Sequence, residues 1–198
     1  MITRIYLAAT AVIGLACAFT KHTDAPKPVK YITRANTPPT QDAFLKRGQY
    51  LVTIMGCGDC HAPKKMTSRG PAPDMDRFLS GYNSAVPLGT YDKNIVKDGQ
   101  WVLFNGQNTA FIGPWGVSFA ANLTPDATGI GRWSLDQFKK AMRQGKYKGL
   151  DNTRPLLPPM PWPNYTAATD EDLRAIFTYL KSLKPIANTV PAAIPPAP

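Results

Sequence analysis

The chain has 198 residues, 43% hydrophobic and 18% charged, enough for one domain with a core but too few for a polytopic membrane protein or a large α/β barrel. Twenty prolines and fifteen glycines exceed the usual combined share of about 12%, so the fold should be loop-rich and organised by something besides regular structure. A net charge of +10 suits nucleic acid, an anionic membrane or an acidic protein and selects none of them, while three cysteines exclude a disulfide framework and a four-thiolate metal site.

The chain opens with Arg4 and an apolar run from Ile5 to Leu15, followed by small residues. A basic start with an apolar stretch of about 7–15 residues fits an export signal and is too short for a spanning helix. Residues 1–18 are therefore expected to be an address, and the protein to be periplasmic. Two endings compete. Ala16-Cys17-Ala18 permits ordinary cleavage before Phe19, whereas Leu15-Ala16-Cys17 resembles a lipoprotein signal that would make Cys17 an acylated membrane tether. Residues 19–40, polar and proline-bearing, read as a flexible tether.

Residues 42–55, DAFLKRGQYLVTIM, carry apolar side chains at helical spacing and predict an amphipathic helix ending at Gly56. Cys57-Gly58-Asp59-Cys60-His61 follows, then a turn-rich stretch through Pro73. From about 76 to 121 no helical period appears. WVLF (101–104), Asn105-Gly106 and TAFI (109–112) suggest a small hairpin there, within an insertion expected to fold over one side. Ser134 and Gln137 form a capping-box signature before LDQFKKAMRQG. Residues 150–165 are dominated by proline and should be extended. Thr169 or Asp170 caps a last helix with an apolar stripe at 173, 176, 177, 180 and 183, ended by Pro185. A domain over 41–185 is expected, with 186–198 a disordered tail.

Chemistry concentrates at Cys57, Cys60 and His61. Two thiols three positions apart can add across the two vinyl groups of one haem, and the adjacent histidine is then held under the iron. Zinc would need four ligands, and beyond this cluster the chain offers only Cys17 and His22, both in the leader or tether. A redox dithiol would need a βαβ setting that is absent. One motif implies one covalently bound haem c.

The second axial position decides the function. His22 is the only other histidine, so the donor is sought among the methionines. Met55 precedes the attachment site on the same helix, Met66 and Met75 lie close to it in sequence, and Met142 sits in a helix as ordinary core would. Met160 lies in Pro158-Pro159-Met160-Pro161-Trp162-Pro163. A weak thioether donor stays bound only where its loop cannot wander, and proline supplies that stiffness. The alternative is a plain connector with Met160 packed on Trp162; Met160 is taken here as the iron ligand.

Over residues 42–183 the chain resembles the class I c-type cytochromes, including single-haem bacterial members and the haem modules of cytochrome subunits of membrane-bound alcohol and sugar dehydrogenases. The resemblance rests on RGQYLVTIMGCGDCHAPK, NLTPDATGIGRWSLDQFKKAMRQG and MPWPNYTAATDEDLRAIFTYLKSL, in that order. It implies a mainly α, cytochrome c-like domain around one haem, with the 76–121 segment as a long irregular or β-hairpin insertion. It also implies a crossing of first and last helices near Gly48, and a Pro71 carbonyl that orients His61.

Histidine–methionine ligation leaves no open position on the iron, so the expected function is electron transfer and not enzymatic catalysis. The chain would carry electrons from a dehydrogenase or quinol-oxidising complex to a terminal acceptor. A fixed haem subunit of a larger dehydrogenase and a haem-based ligand sensor are the alternatives. Redox proteins with acidic surfaces are the expected partners, and no nucleic acid. Lys64, Lys65, Lys139, Lys140, Lys146 and Lys148 either ring the haem edge to steer such a partner or form a solvated basic surface.

Overall fold

The computed structural model describes residues 40–196, so the expected export signal, Cys17 and the expected tether to position 39 lie outside the described residues. About 36% of the structure is helical against 13% in strands, which supports a mainly α class.

Helix α1 (Gln41–Ile54) starts where the Thr40 hydroxyl accepts from the Ala43 amide, and α5 (Asp170–Ser182) where Thr169 accepts from Asp172. In α4 (Leu135–Gln144) Ser134 and Gln137 cap each other reciprocally, as the sequence motif requires. These caps satisfy amides that have no partner inside the helix. The apolar faces of α1, α4 and α5 meet in one core containing Leu51, Val52, Phe138, Met142, Leu173 and Ile176. At the α1–α5 crossing a Cβ on Gly48 would collide with the Ala175 carbonyl and stand 2.7 Å from Tyr179 Cβ, so only glycine permits this approach. Arg47 donates to the Asp172 carboxylate (2.9 Å) beside the crossing, and the Phe138 and Phe177 rings pack 5.3 Å apart between α4 and α5.

The short helix α2 (Cys57–His61) follows α1 directly. It leads into a hairpin of β1 (Lys64–Thr67) and β2 (Gly70–Pro73), where the sequence predicts a turn-rich stretch. After the four-residue α3 (Asn94–Lys97) comes a meander of β3 (Leu103–Phe104), β4 (Ala110–Gly113) and β5 (Gly116–Phe119). The predicted hairpin is β3–β4, but its connection is longer than a two-residue turn. The Asn105 side chain accepts from the Thr109 and Ala110 amides, and Asn108 takes a left-handed conformation.

Residues 186–196, expected to be disordered, instead follow a defined path. Ile194 exchanges backbone hydrogen bonds with Val117 and so extends the sheet beyond β5. The buried Asn188 donates to the Ser80 and Tyr82 carbonyls, both at 2.7 Å, and accepts from Ser84. Asn122, also buried, donates to the Ile186 carbonyl (2.8 Å). Polar side chains closing on backbone groups hold this segment, and hydropathy does not register them. No helix among the described residues is long and apolar enough to cross a membrane.

Candidate functional site

The α1–α2 turn needs Gly56, whose φ of 66° lies in the left-handed region. It turns the chain so that Cys57, Cys60 and His61 all face one cavity of about 300 Å³, at the lower edge of the range of about 300–1,000 Å³ usual for cofactor pockets. Its wall is largely apolar: Phe138, Ile176 and Leu180 from α4 and α5, Phe111 and Phe119 from the sheet, and Leu123 and Leu157 from connecting segments. Met160 lines it as well, between Pro159 and Pro161. The structure thus gathers into one chamber the two thiols, the histidine and the methionine singled out in the sequence.

Both thiols are free. Burial pushes the Cys57 thiol up to about 11, and burial followed by the nearby Asp59 carboxylate raises Cys60. Both therefore stay protonated at neutral pH in the unmodified chain. Burial lowers the His61 pKa, partly offset by its hydrogen bond to the Ala121 carbonyl, so the ring is held neutral. The distance from Nδ1 to that carbonyl oxygen is 2.8 Å. Because a carbonyl only accepts, Nδ1 carries the proton and Nε2 keeps its lone pair, the tautomer required of a metal ligand.

That bond corrects one expectation. Pro71 does not orient His61; it lies exposed in β2, paired with Met66. The acceptor comes from the end of the 76–121 segment; near the start of that segment Gly81 donates to the His61 carbonyl (2.7 Å) and Tyr82 to the Ala120 carbonyl (2.9 Å). The chain returning beside α2 thereby brings Ala121 under the imidazole. The supposed insertion is a wall of the chamber. A backbone acceptor has no residue signature, so no sequence signal could have named Ala121.

Two other methionines reach the chamber. Met55 at the end of α1 and Met142 in α4 line it beside Met160. Sequence reasoning set Met55 aside on position alone, although its side chain reaches the same space. Met142 is buried in the helical core, as expected.

The lysines are largely engaged within the chain. Lys64 Nζ donates to the Gly58, Asp59 and Ala62 carbonyls at 3.0, 2.9 and 2.5 Å, closing the C-terminal end of α2. Lys65 pairs with Asp74, Lys139 with Asp170 and Lys140 with Asp151. Four of the six lysines singled out in the sequence thus have partners within the chain.

The donor set fits a c-type haem: two thiols at thioether spacing, a neutral imidazole of fixed tautomer, a thioether, and a mostly apolar wall. No family model matches the chain. The gluconate 2-dehydrogenase cytochrome c subunit of Pantoea cypripedii is 33% identical over 149 residues, 74% of this chain and 25% of that protein. The fructose dehydrogenase cytochrome subunit of Gluconobacter japonicus is 35% identical over 145 residues, 72% of this chain and 22% of that protein. The alcohol dehydrogenase (quinone) cytochrome c subunit of Gluconobacter oxydans is 26% identical over 155 residues, 77% and 24%. These likenesses support a cytochrome c-type family. The chain spans about a quarter of the length of these curated relatives, so the match is to a portion of each.

Proposed function

We propose that this chain is an electron-transfer protein carrying one haem c, with Cys57 and Cys60 as the thioether-forming residues and His61 and Met160 as axial ligands. The observation that carries this reading is that these four side chains line a single cavity with His61 already in its metal-binding tautomer. When bound, the haem supplies a one-electron couple between two oxidation states of its iron. The chain's own residues do the rest. His61, aligned by Ala121, presents Nε2 from one side; Met160, stiffened by its proline neighbours, presents sulfur and favours the reduced state. The apolar wall excludes water and keeps the environment the same in both states.

The relatives, cytochrome subunits of gluconate, fructose and alcohol dehydrogenases, favour a dehydrogenase as electron donor. They also support a second reading, in which the chain works as a haem module fixed to a dehydrogenase and not as a freely diffusing carrier. Co-expression with a candidate dehydrogenase followed by gel filtration separates the two: co-elution for the fixed module, separate elution for the shuttle. The primary reading is tested on protein made with a haem-attachment system. The colour should stay with the polypeptide after acid–solvent extraction, and Met160→Ala should lower the reduction potential. Colour that extracts, or a potential unmoved by Met160→Ala, would refute it.

A further inference from the structure

Met160 sits in a segment with few handles. Pro158 and Pro159 have no N–H, so this stretch can be gripped from outside only through its carbonyls or by packing. At its start the Leu156 amide donates to the Gly145 carbonyl (2.6 Å), and beyond it Arg143 donates to the Ala168 carbonyl (2.6 Å). Between those anchors, two residues before Met160, the Pro158 carbonyl accepts from the hydroxyl of Ser118, at 2.6 Å. Ser118 belongs to β5, is buried and lines the chamber. Its oxygen accepts in turn from Trp115 Nε1 at 3.2 Å. The direction of this relay is fixed by chemistry. An indole N–H only donates and a carbonyl only accepts, so the Ser118 proton must point at Pro158. Three residues further along the same chain, the Ala121 carbonyl holds His61.

We infer that Ser118, set by Trp115, is a positioning residue that holds the Met160 sulfur over the chamber, so that the segment 118–121 governs both axial positions. The inference rests on the proposed ligation by Met160 and adds the residue that keeps it bound. Without the hydroxyl, the Pro158 carbonyl loses its partner and the loop opens more often, while the helical frame and the thioether attachment stay as they are. One buried hydrogen bond corresponds to a change of roughly threefold to tenfold in the open fraction.

The test uses haem-loaded full-length chain and carbon monoxide as probe. Ser118→Ala should bind carbon monoxide in the reduced state roughly threefold to tenfold faster than the parent, and should weaken the near-infrared sulfur-to-iron band of the oxidised state. Ser118→Thr restores the hydroxyl and should restore both readings; Ser118→Val, equal in shape to Thr but without the hydroxyl, should not. This Thr–Val pair also serves if the alanine variant fails to fold. Carbon monoxide rates and band intensity equal in the Thr and Val variants would overturn the assignment. Met160→Ala separates this failure from that of the underlying reading: with Met160 as ligand it abolishes the band, and a band that survives it removes the reading and the inference together.

Discussion

The helical frame and the sheet segment build parts of the same chamber by different means. In α1, α4 and α5 the information is periodic: apolar side chains recur at helical spacing, and hydroxyl residues mark the starts. In residues 76–122 and 184–196 it is carried by single polar side chains closing on backbone groups: Asn105, Asn122, Asn188 and Ser118. The frame supplies α2's starting geometry and Met160's neighbours. The sheet segment supplies the groups that hold His61 and Pro158 in place. Helix α2 thus carries the thiols and the histidine, while groups of the sheet segment meet His61 and the loop before Met160.

The comparison is broken most severely at the α1–α5 crossing. Gly48→Leu would drive a branched side chain into the Ala175 backbone, and should cost roughly 3 kcal/mol or prevent folding, read by chemical denaturation. A stable variant would mean that the frame does not depend on this close approach. Next comes Asn188→Ala, which strands the Ser80 and Tyr82 carbonyls in the interior. A loss of about 2–3 kcal/mol is expected, together with rapid proteolysis of the C-terminal segment; an unchanged midpoint would return that segment to the disordered tail expected from its composition. Ser134→Ala removes half of the capping box and should cost about 1 kcal/mol, with no effect on the chamber.

The smallest effect lies in the exposed pairs. Hydrogen bonds from Lys139 and Arg143 hold the Asp170 carboxyl below the usual carboxylate range. A carboxyl so lowered contributes stability above its unfolded pKa, and that contribution disappears as the pH falls through the folded value. Because the pair is exposed, Asp170→Asn should change the acid-unfolding midpoint only slightly.

Much of this was legible in the sequence. The three long helices appear within a residue or so of their predicted bounds, the capping box is present, and CGDCH and the proline-framed Met160 come together in one cavity. What the sequence could not disclose follows from physics. The acceptor for His61 is a main-chain oxygen sixty residues away, which any residue at 121 could offer. The expectation of a Pro71 acceptor came from resemblance, and here the β1–β2 pairing places Pro71 in an exposed hairpin. The ordered C-terminus rests on Asn188 and Ile194, residues whose composition alone suggests a tail. Of the lysines read either as a partner-facing ring or as a solvated surface, Lys64, Lys65, Lys139 and Lys140 meet carbonyls or carboxylates of the chain itself, some of them distant in sequence.

Three methionines line the chamber, so the choice among them is the point to measure. Proton NMR of the reduced, haem-loaded protein with labelled methionine methyl groups reads it directly, because a methyl fixed over a macrocycle is shifted far outside the ordinary range by the ring current. One such methyl is predicted, and it should vanish in Met160→Ala while the resonances of Met55 and Met142 stay in the ordinary range. A shifted methyl that belongs to Met55 or Met142, or none shifted at all, would contradict the account.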